Sequence, residues 1–252
     1  MYQSFKGSPS DLHLVDQFML EMCKIPNMGQ QLDLLLAIRE LPASMAELEP
    51  LISQKICACK QLQNSPRFVA VLWYILAMGN CLNEKAGREK AKGFRLSSLT
   101  RLSLLRGKER SFTLMHALVE QIFLHNPDLA EFPQELTEFK ALSGASIKGL
   151  SAEVEVLQKE LESISECRSQ IKPKVIKAET LESQFYKEVK DLIKKYEGDL
   201  SQLSRRCAEM KKAYHEILVK FGEAEDQDSE EFFGWISAFI SDFRKVLLEI
   251  MS

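Results

Sequence analysis

Residues 181–221 read LESQFYKEVKDLIKKYEGDLSQLSRRCAEMKKAYHEILVKF, and the spacing of their apolar side chains decides the fold class. Leu181, Phe185, Val189, Leu192, Tyr196, Leu200, Leu203, Cys207, Met210, Tyr214, Ile217 and Phe221 recur every three or four residues. That period lays one apolar stripe along an α-helix and leaves the charged residues on its other faces. A stripe of such length is the seam of a coiled coil, and roughly forty residues at about 1.5 Å each make an arm of about 60 Å. Upstream, Val154, Leu157, Leu161, Ile164 and Ile171 form a second stripe at similar spacing, separated from the first by Pro173. A short break between two long helices favours an antiparallel hairpin.

Downstream, Gly222 to Asp228 is an acidic, polar loop, and Asp228 with Glu231 makes a capping pair for a last helix. Phe232, Ile236, Phe239, Phe243, Val246 and Ile250 line one face of that helix, an apolar face that must find packing partners. Nearer the N-terminus, Asp11 to Met22 carries a short helical pattern broken at Pro26 and Gly29. A second pattern starts at Gln30 and runs through Leu32, Leu35, Leu36 and Ile38. It resumes after Pro42 as Met45, Leu48, Leu51, Ile52 and Ile56 towards Leu62. Pro42 is expected to break the helix and Pro50 to adjust it locally, because proline lacks an amide donor and restricts the residue before it.

Asn64 or Ser65 can cap a further helix with Pro66 in its first turn. The nearly unbroken apolar run Phe68 to Met78 follows, and its composition predicts cover on all sides. Gly79 and Asn80 tolerate the left-handed conformation of a helix C-terminus and are expected to end it. Ser111 opens another helix through Leu114, Leu118 and Ile122, which stops before Pro127. The whole reads as an all-α, elongated helical bundle with long antiparallel coiled-coil arms.

The bulk properties agree with a folded, soluble chain: 252 residues, 45% hydrophobic, net charge −3. No apolar run reaches the roughly eighteen residues that span a bilayer, and the N-terminus lacks a signal-like core. Cys23, Cys57, Cys59, Cys81, Cys167 and Cys207 sit mostly within helical patterns without a paired framework, which suits reduced thiols in the cytoplasm. Cys57 and Cys59 face different ways on a helix and have no accompanying His, so no metal site is expected. There is no Gly-rich phosphate loop, no nucleophile in a sharp turn and no His-Glu metal spacing. His13, His116, His125 and His215 are scattered, and none has a local carboxylate to orient it. The expectation is a protein that is not an enzyme and uses no cofactor.

One segment departs from the acidic background. Glu84 to Arg110 holds nine basic residues against three acidic ones, a local charge of +6 that leaves −9 for the remainder. Such asymmetry attracts an acidic partner and speeds encounter, although a run of charge can also be hydrated surface. Phe94 is its single aromatic before Phe112, too few stacking rings for a single-stranded nucleic-acid platform. An anionic membrane surface would suit the charge, but the segment offers no apolar insertion face in the sequence, so neither nucleic acid nor membrane insertion is expected.

Three motifs surround this segment: Gly-Asn-x-Leu-Asn at Gly79–Asn83, Gly-Phe-x-Leu-x-x-Leu at Gly93–Leu99, and Thr-Leu-x-x-x-Leu at Thr113–Leu118. In this order and spacing they resemble the signature of the formin homology 2 domain, the actin-assembling module of formins. Asp16-Gln17-Phe18 and Ile25-Pro26 resemble the end of that family's knob, and Phe232-Phe233 with Phe239 and Phe243 its closing helix. The resemblance covers nearly the whole chain.

The resemblance implies an end of the knob over 1–28, an ascending coiled-coil helix over 29–64, the post over 65–143, and returning coiled-coil helices with the closing helix over 144–252. It implies actin as partner, and a second formin subunit whose lasso wraps the post in the full domain. Gly79, Asn80, Asn83, Gly93 and Phe94 match that lasso-receiving surface. Arg106 falls where the family commonly has an actin-contacting Lys, with Lys92, Arg95, Arg101 and Lys108 as helpers by proximity. Arg is not a neutral replacement for Lys where geometry matters. The lasso and linker are not recognisable in this sequence, so the chain alone is expected to be monomeric, to bind actin weakly and to nucleate poorly. Full FH2 dimers nucleate filaments and processively cap growing barbed ends in the cytoplasmic actin cytoskeleton. The alternative is a helical coiled-coil scaffold with an incidental basic loop.

Overall fold

The computed structural model describes residues 12–23, 25, 27–107, 111–142, 144–171 and 181–251. Its regular elements are helical: α1 (Leu14–Met22), α2 (Met28–Asn64), α3 (Pro66–Lys85), α4 (Leu114–His125), α5 (Phe132–Glu135), α6 (Ile147–Ile171), α7 (Leu181–Phe221) and α8 (Ser229–Met251). Short 3₁₀ helices span Leu96–Arg101, Pro127–Glu131 and Thr137–Lys140. Among the described residues the only β-type pairing is an isolated antiparallel bridge between Arg106 and Thr113. Pro26, Pro173 and the side chains of Ile171 and Leu181 lie outside the described residues.

The chain forms two compact units, one of Met1–Glu47 with Glu153–Ser204, the other of Leu48–Ala152 with Arg205–Ser252. In the first, α6 buries Val154, Leu157, Leu161 and Ile164, and α7 buries Tyr186, Val189, Ile193, Tyr196, Leu200 and Leu203. Gln158 Nε2 donates to Ser204 Oγ at 2.9 Å, and Leu161 and Leu200 line one cleft. Residue numbers rise along α6 as they fall along α7, so the pair is antiparallel.

The seam of α7 differs from the sequence reading over its first third. Phe185 is half-buried and Leu192 is 36% exposed, while Tyr186 and Ile193 take the core positions. The reason is geometric. Ile193 lies seven residues before Leu200, within about 20° of two helical turns, whereas Leu192 lies eight before it and is about 80° out of phase with the seam.

Helix α2 corrects a second expectation: it runs unbroken through Pro42 and Pro50. A proline inside a helix costs about 3 kcal/mol through the lost amide and a clash with the preceding turn. Here Leu34, Ile38, Leu41 and Met45 are buried in the first unit, and Leu48, Ile52, Ile56, Cys59 and Leu62 in the second. A helix packed on both sides of the proline can absorb that cost, since tertiary burial supplies most helical stability.

In the second unit Lys55 occupies a seam position and is 1% exposed. Its Nζ lies 5.1 Å from the Phe233 ring centroid, a cation–π placement. Burial lowers its pKa, opposed by the nearby Cys59 and Glu230. Burial also pushes the Cys59 thiol up to about 12, which keeps it protonated and inert.

The core of this unit is aromatic. Phe68 of α3 lies 6.0 Å from Phe132, 6.0 Å from Phe221 and 6.4 Å from Phe239, ring centre to ring centre. Phe132 also meets Phe243 edge-on at 4.8 Å. These contacts seat α8, whose Phe232, Phe233, Ile236, Phe239, Ile240, Phe243 and Val246 are buried. The amides of Glu230 and Glu231 donate to Asp228 Oδ1 at 2.9 and 3.0 Å, the cap expected at this helix start.

Candidate functional site

The site begins where α3 ends. Ser65 Oγ accepts from the Phe68 amide at 3.1 Å to open this helix, as expected for the cap before Pro66. Its end is not at Gly79 and Asn80, which lie within the helix. The stop is Gly87, with φ of +70°. The Arg88 amide donates to Asn83 O at 2.8 Å and the Gly87 amide to Glu84 O at 3.0 Å, the paired bonds of a Schellman cap. Tolerance of a left-handed conformation at Gly79 is permission rather than instruction. The expected all-round cover of α3 also fails, because Phe68, Val71 and Ile75 are buried but Trp73 is 64% exposed.

Asn80 has a definite task. Its side chain accepts from the Ala91 amide at 2.7 Å and donates to Ala91 O at 3.0 Å, pinning the basic loop back onto α3. Gly93 is exposed and Phe94 half-buried as the chain turns into the 3₁₀ helix. Leu96, Leu99 and Leu102, three apart, form the buried face of that helix.

Two carboxylates fasten this segment to the rest of its unit. Glu223, with 3% of its side chain exposed, accepts from the Leu96 amide at 2.7 Å and lies 3.4 Å from Arg95 Nη1. Arg95 Nη1 also donates to Gly222 O at 2.7 Å. Downstream, Ser103 Oγ donates to Asp242 Oδ2 at 2.6 Å. The chain then turns at 102–105 and pairs Arg106 with Thr113. The Gly107 amide donates to Phe112 O, and the Leu114 amide to Leu105 O, each at 2.8 Å.

This framework sorts the expected site residues. Lys92, Arg101 and Arg106 are exposed, as is Arg88, and none of the four has an acidic partner among the described residues. Arg95 is exposed and also bound to Glu223 and Gly222, so it anchors the loop. Lys108 lies outside the described residues. Gly79, Asn80, Asn83 and Phe94 are half-buried around the α3 end and the loop, and Gly93 is exposed. Lys90 is tied at 3.7 Å to Glu84, with both side chains in water, where such a pair contributes little.

His116 illustrates what the sequence hid. Its Nδ1 accepts from the Thr113 amide at 3.2 Å and lies 2.7 Å from Thr113 Oγ1, while Nε2 is 3.2 Å from Glu249 Oε2. The carboxylate comes from 133 positions downstream. The order hydroxyl, imidazole, carboxylate is superficially that of a hydrolase triad. Here Nδ1 caps the first turn of α4 by accepting from the backbone of its own cap residue. Among the described residues there is no group of three His, Cys, Asp or Glu placed to hold a metal ion.

The family named Formin Homology 2 Domain matches residues 1–244. The chain belongs to that family. Formin-like protein 6 of Oryza sativa subsp. japonica is 25% identical over 223 residues, covering 88% of this chain and 16% of the relative. Disheveled-associated activator of morphogenesis 2 of Mus musculus is 27% identical over 230 residues, covering 90% and 20%. Formin-like protein 7 of Oryza sativa subsp. japonica reaches 30% over 166 residues, covering 66% and 12%. The chain thus spans a fifth or less of the length of these formin relatives. In formin terms, the basic surface just described lies between the Gly-Asn and Thr-Leu motifs of an FH2 domain.

Proposed function

We propose that this chain is an actin-binding part of an FH2 domain, and that Arg106, with Arg88, Lys92 and Arg101, forms its contact with the acidic filament. As part of a two-subunit FH2 assembly it nucleates filaments and caps their growing barbed ends, acting by binding rather than by catalysis in the cytoplasmic actin cytoskeleton. Gly79, Asn80, Asn83, Gly93 and Phe94 belong to the surface that receives the second subunit. The observation that carries the reading is the set of exposed cations without acidic partners among the described residues, on a segment tied down by Asn80 and Glu223 and flanked by the motifs of the family. Charges displayed on an anchored loop lose less freedom on binding than charges on a loose one. They also steer encounter with an acidic partner.

Filament co-sedimentation tests this. Arg106→Glu should weaken binding about tenfold or more, the order expected when one contact charge is reversed at an electrostatic interface. Far-ultraviolet circular dichroism should be unchanged, because Arg106 is exposed. Unchanged binding with unchanged helicity would instead favour a coiled-coil scaffold with an incidental basic loop.

A further inference from the structure

Leu104 and Leu105 are 73% and 53% exposed, at the crest of the turn between Arg101 and Arg106. The turn is held on several sides. Both leucine amides converge on Arg101 O, at 3.0 and 3.1 Å, and Leu105 O accepts from the Leu114 amide at 2.8 Å. Ser103 Oγ is fixed to Asp242, and Leu102 is buried at 5% exposure. The two leucines are therefore displayed by an anchored backbone. A single exposed leucine needs no explanation. An adjacent pair, bracketed by two arginines without acidic partners among the described residues, combines the apolar and cationic elements of an interfacial anchor.

We propose that the turn Arg101–Arg106 docks on an anionic lipid bilayer, with Leu104 and Leu105 entering the boundary between headgroups and acyl chains. Arg101 and Arg106, which flank the pair, stay at the level of the lipid phosphates, so the bilayer-docked and filament-bound states of this turn exclude one another. The sequence reading found no insertion face beside these charges; the folded turn supplies one.

The two leucines are what argue for a bilayer here. The leucines stand exposed on a turn, so a deformable apolar phase can take them without a matching pocket. The amides of Leu104 and Leu105 and the carbonyl of Leu105 are already bonded within the chain, so desolvating this crest leaves them paired. The docking is peripheral: among the described residues no single helix is long and apolar enough to cross a membrane.

Sedimentation with vesicles of phosphatidylcholine and phosphatidylserine, against phosphatidylcholine alone, tests the proposal on the whole chain. The chain should pellet with the mixed vesicles only. Leu104→Ser with Leu105→Ser should reduce partitioning at least about fivefold at unchanged charge, comparable to removing one basic residue from such a surface. Arg101→Glu with Arg106→Glu should abolish it. All four side chains are exposed, so circular dichroism should report intact folding for both variants. The proposal is overturned if the mixed vesicles fail to bind the chain, or if the serine variant binds them as well as the unaltered protein. Loss of filament binding by the serine variant, with vesicles ignored throughout, would assign the leucines to a protein contact and equally overturn it.

Discussion

The α6–α7 seam and the basic segment after α3 are built on opposite principles. The seam repeats one local rule, apolar residues alternately three and four apart, and each stretch resembles the next. The basic segment has no repeat. It is shaped by single contacts from outside it, one near and the others distant in the chain: Asn80 to Ala91, Glu223 to Leu96 and Arg95, Asp242 to Ser103. A repeat distributes stability over many equivalent positions. A segment tied at single points concentrates its dependence on a few residues, and those residues lie outside the segment they organise.

That contrast can be broken first at the seam, where the largest effect is expected. Ile193→Ala should destabilise its unit by about 2–4 kcal/mol, through lost burial and a residual cavity. Leu192→Ala, one position away and 36% exposed, should cost well under about 1 kcal/mol by the same reckoning. Urea denaturation followed by circular dichroism measures both, and equal costs would mean the seam is misassigned.

The smaller test sits in the tied segment. Glu223→Ala should cost about 1–3 kcal/mol, because it leaves the Leu96 amide without its acceptor and Arg95 without its carboxylate. Amide exchange at Leu96 and through the following 3₁₀ helix should accelerate, while exchange along α7 near Ile193 stays slow. Acceleration confined to Leu96 alone would show that the segment does not depend on this tie.

Smallest are two glycine substitutions that sharpen the boundary between the regions. Gly87→Ala should cost about 1 kcal/mol, since φ of +70° is strained for any residue with a Cβ. Gly79→Ala should stabilise by about 0.5–1 kcal/mol, because the position is helical and a Cβ there meets nothing within 4 Å. Melting temperatures shifting in opposite directions would place the end of α3 at Gly87.

What could be read from the sequence follows the same division. The all-helical class, the antiparallel hairpin, the Ser65 cap and the apolar face of α8 each rest on patterns within a few turns of chain, and the structure bears them out. The errors arose where a local rule was incomplete. Pro42 looked like a break because burial around Leu41 and Met45 is invisible in a local window. Phe185 and Leu192 entered the seam because an apolar residue four positions on is attractive even when the phase has drifted. Gly79 looked like a stop because its neighbours did not reveal that Gly87 takes that role.

At the candidate site the charge run and the three motifs were legible, and with them the family. The sorting of the cations was not. No feature near Arg95 announces that Glu223, 128 positions away, will bind it. Nor does the sequence around Leu104 and Leu105 mark them as outward-facing, since the same leucine spacing that buries Leu96, Leu99 and Leu102 continues towards them. Long-range carboxylates and the direction of a turn are properties of the assembled unit.

In the proposed filament contact, the exposed Arg88, Lys92, Arg101 and Arg106 bind actin while Arg95, bound to Glu223, holds the segment in place. Filament co-sedimentation of Arg106→Glu beside Arg95→Gln, each titrated over filament concentration and ionic strength, tests this most directly. Arg106→Glu is expected to weaken binding about tenfold or more and to flatten its salt dependence, whereas Arg95→Gln should lose only about two- to threefold. Equal affinities for Arg106→Glu and the unaltered chain, with both folded, would contradict it.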